Sequence, residues 1–238
     1  GNAAAKARHG MNEAIARLST GVRSMYGGDA AGASVAHTLR ADGRSALMAA
    51  RNVEDGISFL QAGEAALLEI AALNTRLREL AVQDLNAAFL DANQEAAITA
   101  EETAVAAAGN AIDTATLNNT ALLTAAIAFV KDMDGGTVSY GAAADLTLAS
   151  GITAVDAQMG KISKALGSMA AGIAALKGHQ GTLYALSANA EAAAARIQDT
   201  DFARSSANLA KFSILNQSAM AMVAQANQAN SAVLAVLQ

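Results

Sequence analysis

The C-terminal end of the chain carries the most regular apolar pattern. Apolar residues recur there at alternating intervals of three and four positions, which is the spacing of a seam between packed helices. The eight seam positions are Phe212, Leu215, Ala219, Met222, Ala226, Ala229, Val233 and Val236. No glycine follows Gly181 and the chain has no proline, so nothing in this stretch breaks a helix. The pattern predicts a coiled-coil helix up to the C-terminus.

The remaining positions of this predicted helix are almost uncharged. Lys211 is the only formally charged side chain from residue 205 to residue 238, and we expect Asn, Gln, Ser and Ala to form the outer face. A helix that faces water normally carries charges on that face. The sequence therefore predicts that other helices enclose this one. One chain of this size cannot easily do so, and further copies of the chain are the expected source.

The N-terminal segment has a matching apolar stripe. Ala4, Ala7, Met11, Ala14 and Leu18 repeat the same spacing. We therefore expect the two ends of the chain to pair as parallel or antiparallel helices, and we assign Met11, Ala14 and Leu18 to the same self-assembly seam.

A thicker apolar stripe marks the middle of the chain, with charged residues on the opposite helical face. Its members are Val53, Ile57, Leu60, Leu67, Ile70, Leu73, Leu77 and Leu80. This is the pattern of an amphipathic helix in a bundle. The segment 155–197 has a similar stripe and is the expected partner.

Glycines and capping residues predict the first breaks between helices. Gly27 and Gly28 give the backbone freedom to interrupt the first helical stretch, and Asp29 can cap the helix that follows. Asp91 and Gln94 have the spacing of a capping box, after a break at 84–90.

Three further features divide the second half of the chain. Thr153 with Asp156 predicts another helix start, and aspartates at 199 and 201 predict a bend. Between them, the β-prone runs 137–140 and 146–148 are separated by glycine and predict a small hairpin.

Composition narrows the class of protein. The chain has 238 residues, 64 of them alanine, with no proline and no cysteine, which favours long uninterrupted helices and excludes disulfides and thiolate sites. The net charge of -5 argues against a nucleic-acid partner. We expect no membrane-spanning segment, because the amides in the long uncharged run are costly in hydrocarbon. No cleavable signal peptide is visible in residues 1–20.

The sequence shows no constellation of catalytic residues, so we expect neither an enzyme nor a cofactor. His9, His37 and His179 share no metal-ligand spacing, and we expect each to lie at the surface or its boundary. Asp132 and Asp134 before Gly135 resemble the start of a calcium loop, but the later ligands are missing. We interpret this segment as a turn.

Three ordered strings resemble bacterial flagellin. They are LSTGVRSMYGGDAAGASVA at 18–36, NVEDGISFLQAGEAALLEIAALNTRLRELAVQ at 52–83 and RIQDTDFARSSANLAKFSILNQSAMAMVAQANQ at 196–228. The family typically shows an R-L-S-S-G-type string, D-D-A-A-G, N-D-G-I-S-L-L-Q with R-E-L-A-V-Q, and a final A-Q-A-N-Q. The ordered set is far more specific than any one string, and it spans about two-thirds of the chain.

The resemblance implies a subunit that polymerises into the filament of the bacterial flagellum. The expected fold is mainly α, a long-helix rod or bundle with coiled-coil terminal helices and a small β-hairpin insert. Residues 1–20 and 202–238 would form inner-tube helices, 21–32 a linker, 33–116 and 153–201 the central bundle, and 117–152 a loop and hairpin. The insert is too short for large outer domains, so the resemblance is to a short form.

The resemblance also implies partners and a surface. The partners are other copies of the chain, an export chaperone that holds the C-terminal segment, and hook-associated and cap proteins, in a filament exported without a cleavable signal. Arg76, Arg78, Glu79, Leu80 and Gln83 correspond to a surface that packs between subunits in the family and that a Toll-like receptor recognises in some members. An ordinary solvated helix face is the alternative interpretation.

The chain departs from the family in two places. The family usually has residues ahead of the position of Gly1, so either this member is short or more of the chain precedes it. A family Lys-Asp-Asp appears here as Gly27, Gly28 and Asp29, which predicts a more pliable or differently curved linker.

Two other functions remain open at the level of sequence. A hook–filament junction protein of the same superfamily shares the terminal helices, although the A-Q-A-N-Q ending favours flagellin. A cytoplasmic coiled-coil signalling rod fits the composition, but it would need charged outer faces that residues 205–238 lack.

Overall fold

The structure is a computed structural model that describes residues 2–23, 29–123, 126–141 and 145–236. It is mainly α-helical, as predicted. The five α-helices are α1 (Asn2–Thr20), α2 (Ala30–Asp84), α3 (Ala92–Asp113), α4 (Ile152–Gln198) and α5 (Phe202–Val236). A short 3-10 helix, Ala87–Phe89, connects α2 to α3.

Two antiparallel hairpins lie between α3 and α4. The first joins β1 (Thr116–Leu117) to β2 (Thr120–Ala121), and the second joins β3 (Ile127–Val130) to β4 (Thr137–Tyr140). The second has Phe129 opposite Val138 and Ile127 opposite Tyr140. The chain divides into two compact units, which we call the terminal unit (1–43 and 188–238) and the central unit (44–187). The predicted inner-tube, linker and bundle roles concern the assembled filament and stay predictions.

The core of the central unit is built from large aliphatic side chains. The stripe predicted on α2 is buried there, except that Leu73 is half-buried while the adjacent Asn74 is fully buried. Asn74 is tolerated because its Nδ2 donates to the carbonyl of Val155, 3.1 Å away in the first turn of α4. From α4, Ile162, Met169 and Leu176 complete the same core.

The second hairpin docks on this bundle through two glycine notches. A Cβ atom added at Gly56 would lie 2.6 Å from the Phe129 ring, and one added at Gly172 would lie 2.8 Å from the Cβ of Tyr140. Glycine at these positions lets a strand approach the helices closely. Ser168 also donates from its Oγ to the carbonyl of Gly141, at 3.0 Å.

The predicted hairpin is half right. Residues 137–140 form a strand, but their partner is 127–130 and not 146–148. Leu146 and Leu148 are buried in an extended segment without strand pairing. Asn110 supplies the missing partners, since its Oδ1 accepts from the backbone N–H of Leu148 at 2.7 Å and its Nδ2 donates to the carbonyl of the same residue.

Capping explains most helix boundaries. Asp91 and Gln94 form the predicted capping box. A break between α4 and α5 lies where the bend was predicted, and Asp201 caps α5 by accepting from the N–H of Arg204 at 3.0 Å. The prediction for Thr153 is wrong: α4 begins at Ile152 after Gly151, whose φ is +94°. The Asp156 carboxylate instead pairs with Arg78.

The turn 131–136 confirms the interpretation of Asp132 and Asp134. Asp132 accepts from the N–H groups of Asp134 and Gly136, at 3.1 and 2.6 Å, and Gly135 has a φ of +83°. The Asp132 carboxylate therefore orders the turn. Among the described residues no group of three or more His, Cys, Asp or Glu side chains is placed to hold a metal ion.

One window within α2 is long and apolar enough to cross a membrane, with a mean hydropathy of 1.3. The sequence prediction of no such segment overlooked it. A third of the window is buried within the protein. Core helices of bundles meet the same criterion, so this window alone does not indicate a membrane span.

Candidate self-assembly surface

In the terminal unit, α1 and α5 pack as an antiparallel pair. The N–H of Thr200, just before α5, donates to the carbonyl of Gly21, just after α1, at 2.9 Å. Further along, Phe212 lies against Gly10, where an added Cβ would be 2.6 Å from the ring. Ala7, Gly10 and Ala14 are buried. Small residues at these positions bring the two helices close together.

The helix breaks at 21–23 and 199–201 are joined to each other. Val22 and Asp199 form an isolated antiparallel bridge, and the N–H of Arg23 donates to the carbonyl of Gln198 at 2.7 Å. Arg40 adds an ion pair to Asp199 at 3.5 Å. The start of α5 is therefore held by backbone bonds to the end of α1.

Small side chains are buried in the terminal unit and large ones are exposed. Among the described residues, its buried hydrophobic side chains are Ala7, Ala14, Ala36, Ala190 and Ala194. Its large exposed ones include Ile15, Phe202, Ile214, Leu215, Met220, Met222 and Val223. Met222 is 68% exposed and Ile214 is 63% exposed. This distribution is the reverse of a water-facing surface, so the faces of α5 that point away from α1 carry large apolar side chains among their uncharged polar ones.

Two open grooves flank the α1–α5 pair. The larger, of about 630 Å³, is lined by Ala3, Lys6, Ala7, Lys211, Phe212, Leu215, Ser218, Ala219 and Met222. The other, of about 530 Å³, is lined by Ala4, Ala5, Arg8, Met220, Val223, Ala224 and Asn227. Grooves of this kind accept the side of another helix.

The first four positions of the predicted seam all line the larger groove. Phe212 and Ala219 are half-buried there, whereas Leu215 and Met222 are exposed. Ala226 and Ala229 are exposed, and the side chains of Val233 and Val236 lie outside those described. From α1, Ala14 is buried while Met11 and Leu18 are half-buried.

Sequence reasoning missed several residues of this surface. The expected outer face of Asn, Gln, Ser and Ala is incomplete, because Gln217, Ser218 and others are exposed as expected but Ile214, Met220 and Val223 are exposed as well. The prediction rested on a single apolar seam and left these three residues out, although a helix that is apolar on several sides is expected to be buried. Gly10 was missed because no sequence signal identifies the aromatic residue that it faces.

The linker residues are described only in part. Gly27 and Gly28 lie outside the described residues. Asp29 caps α2 as predicted, since its Oδ1 accepts from the N–H of Gly32 at 2.8 Å. Gly21, with a φ of +69°, ends α1 at a position that the sequence prediction did not mark.

The arginine surface predicted on α2 lies in the central unit and is largely self-paired. Arg76 is bonded to Glu101 of α3 at 2.6 Å and to Glu79 at 2.9 Å, and Arg78 is bonded to Asp156 of α4 at 2.7 Å. The pKa of Arg76 is raised mainly by the hydrogen bond that it donates to Glu101, and that of Arg78 by the hydrogen bond that it donates to Asp156.

The other two members of this predicted surface differ in exposure. Gln83 is exposed, but Leu80 is buried and only 1% exposed. Leu80 therefore belongs to the interior and not to the surface, as its place in the apolar stripe also indicates.

Comparison with known proteins decides the family. Residues 2–127 match the bacterial flagellin N-terminal helical region, and residues 152–237 match the bacterial flagellin C-terminal helical region. A flagellin of Halalkalibacterium halodurans is 33% identical, with 95% of this chain and 91% of that protein aligned. The chain belongs to the bacterial flagellin family.

Other relatives agree with this assignment. A flagellar filament core protein of Brachyspira hyodysenteriae is 30% identical over 96% of this chain and 92% of its own length. A flagellin of Bacillus subtilis is 29% identical over 93% and 91%. Both relatives are aligned over nearly their whole length, which supports a flagellin of the short form. The chain is a structural subunit of the flagellar filament, and the hook–filament junction alternative is not favoured.

Proposed function

We propose that this flagellin polymerises by burying the grooves beside α1 and α5 against the terminal helices of neighbouring copies. The main support is the distribution of side chains in the terminal unit, which buries alanines and exposes large apolar residues. The exposed residues on α5 include Ile214, Leu215, Met220, Met222 and Val223. Burying a large apolar side chain contributes about 1.5–3 kcal/mol. Five of them supply on the order of 10 kcal/mol gross, before the costs of ordering and association.

The near absence of charge supports the same proposal. Ion pairs would not need to be desolvated when α5 is enclosed, because Lys211 is its only charge after Arg204. The amides of Asn216, Gln217 and Gln225 can hydrogen-bond between helices and so help to fix their register.

Substitution at Leu215 tests the proposal. Leu215 lines the larger groove and is 46% exposed in the single chain, so Leu215→Asp leaves the monomer folded but places a charge where a neighbour packs. We expect seeded samples of this variant to contain no filaments by sedimentation and negative-stain microscopy. Leu215→Met is the matched control and should polymerise. Normal filaments of Leu215→Asp would contradict the proposal.

The partners implied by the resemblance belong to this proposal. The apolar faces of α5 need a cover before assembly, which is the role proposed for an export chaperone on the C-terminal segment. Hook-associated and cap proteins would meet the ends of the filament, and export would not need a cleavable signal. Deletion of 205–238 should abolish chaperone binding in a pull-down, and unchanged binding would contradict this assignment.

We also propose that Arg76, Arg78, Glu79 and Gln83 take part in contacts between subunits. Arg76 and Arg78 are already paired within the central unit, so a neighbour that packs there would not bury an unpaired arginine. A Toll-like receptor is a second proposed partner of this surface. Both proposals are tested with the purified chain. Filament assays of Gln83→Arg test the contact between subunits, and a receptor-binding assay of the same variant tests the receptor contact. Unchanged behaviour of Gln83→Arg in both assays would count against a contact at this position.

A further inference from the structure

The turn between α2 and α3 carries an exposed apolar knob, which we define as Leu85 and Phe89. Phe89 is 85% exposed and Leu85 is 72% exposed. Large apolar side chains this open to water are unfavourable unless a partner covers them. No residue of the proposed α1–α5 contacts belongs to this knob, so those contacts do not account for it.

The knob is held on an ordered backbone. The N–H of Leu85 bonds to the carbonyl of Ala81, and the N–H of Phe89 bonds to that of Asn86 at 2.9 Å. The capping box of Asp91 and Gln94 fixes the chain immediately after it. A side chain presented in this way loses little conformational freedom when it binds.

An open groove lies at the opposite end of the central unit. It has a volume of about 370 Å³ and is lined by Arg44, Ser45, Met48, Ala49, Asn52, Val130, Asp132, Met133 and Gly135. Met48 is 53% exposed and Met133 is 38% exposed. Methionine adapts its shape and makes favourable contacts with aromatic rings, so we call this the methionine groove.

The distance between knob and groove excludes a contact within one chain. Both are attached to α2, the groove at 44–52 and the knob just after Asp84. At a rise of 1.5 Å per residue, about 50–60 Å of helix separates them. A contact between two different surfaces of the same unit is heterologous, and it builds an open filament when the rotation between copies does not close a ring.

The charges beside the two surfaces are also complementary. Asp84 precedes the knob and Arg44 lines the groove, and neither has an ion pair within the part of the chain that the structure describes. A second groove, lined by Lys131, Asp132, Asp134, His179 and Leu186 among others, shares Asp132 with the methionine groove. The methionine groove has one arginine and one carboxylate, whereas the second groove has one lysine and two carboxylates and so suits the acidic flank of the knob less well.

We propose that Phe89 and Leu85 of one subunit insert into the methionine groove of the next subunit along the filament, with Asp84 facing Arg44. This inference rests on the proposed polymerisation and adds an end-to-end contact between central units. It assigns that contact to residues outside the terminal helices.

Cysteine crosslinking tests the contact directly, because the natural chain has no cysteine. Met48→Cys with Leu85→Cys keeps Phe89 in place. In preformed filaments, oxidation or a short bismaleimide should give a covalent ladder of subunits on denaturing gels, with no ladder from unpolymerised chain. Leu186→Cys with Leu85→Cys is the matched pair for the second groove and should crosslink much less.

The outcomes separate this inference from the proposal beneath it. Filaments of the Met48→Cys, Leu85→Cys variant without a ladder would overturn the end-to-end contact while leaving polymerisation intact. A ladder from the Leu186→Cys pair instead would overturn the choice of groove. Failure of the unsubstituted chain to polymerise would contradict the proposed function, and this inference with it.

The critical concentration for polymerisation tests the same contact without crosslinking. Phe89→Ser should raise the critical concentration for polymerisation roughly tenfold or more, and Phe89→Leu should restore most of it. Leu68→Ser, at another exposed apolar site in the middle of α2 (57%), is the control and should have a much smaller effect. Equal effects of Phe89→Ser and Leu68→Ser would overturn the assignment to the knob.

Discussion

The two units of this flagellin bury different kinds of side chain. The central unit encloses Leu60, Leu67, Ile70 and Leu77, whereas the terminal unit encloses alanines and leaves Leu215 and Met222 exposed. Because stability follows the apolar area removed from water, the first is a complete core in a single chain. In our proposal, the second gains most of its burial from other copies. The comparison shows that a helix can be well formed and still lack its main packing partners.

The largest expected difference between the two units comes from replacing one leucine by alanine in each of them. Leu67 is fully buried, so Leu67→Ala should lower the free energy of unfolding of the monomer by about 2–5 kcal/mol. Leu215→Ala, at a half-exposed position, should barely change monomer unfolding but should raise the critical concentration for filaments. Chemical denaturation and sedimentation measure the two quantities. Equal losses of monomer stability would contradict the distinction.

A smaller effect should follow from the close approach of α1 and α5. Gly10→Ala places a methyl group against the far end of the Phe212 ring. Overpacking of this kind costs about 1–3 kcal/mol, of which about 1 kcal/mol is offset because alanine favours a helix more than glycine does. We expect increased hydrogen exchange of α1 in the monomer and weaker polymerisation. Phe212→Leu in the same chain should recover part of the loss. If Gly10→Ala behaves like the natural chain, the two helices are not packed through this notch.

The smallest effect concerns a buried carboxyl of the central unit. Burial raises the pKa of Asp113, and the nearby Asp145 carboxylate raises it further. Its protonated form therefore stabilises the fold at low pH, and this stabilisation is lost as the pH rises through the raised pKa. Asp113→Asn should increase stability at pH 7 by about 1 kcal/mol, and the gain should disappear as the pH falls below the usual range for aspartate.

The control for Asp113 is its neighbour. The pKa of Asp145 is lowered mainly by its hydrogen bond from Thr147, so its charged form is the favoured one. Asp145→Asn should therefore not stabilise the protein at pH 7. Denaturation at several pH values distinguishes the two variants, and the same response from both would contradict the assignment.

Local sequence signals predicted much of the fold because the physics behind them is local. The capping box at Asp91 and the apolar stripe of α2 depend on neighbours within one or two turns, and both were found. The β3–β4 pairing was missed because Gly56 and Phe129 are distant in sequence, and their close contact selects the strand. The tight turn at Asn118 and Asn119, each with positive φ, did have a local signal, and it was overlooked.

The candidate surface was predictable in kind but not in detail. The scarcity of charge after residue 205 marked α5 as a helix to be enclosed. Which side chains face α1 depends on the rotation that Gly10 and Phe212 impose, and no heptad count contains that information. Leu80 shows a similar limit. The resemblance to the family assigned it to a surface, but in this chain the side chain is buried.

Hydrogen exchange of α5 in the monomer and in the filament tests the central claim most directly. An alanine-rich helix with one neighbour is marginal in water, so the amides of 210–229 should exchange rapidly in the monomer and become strongly protected in the filament. Those of 60–77 on α2 should be protected in both. If α5 exchanges equally fast in filament and monomer, neighbouring subunits do not enclose it and the account is wrong.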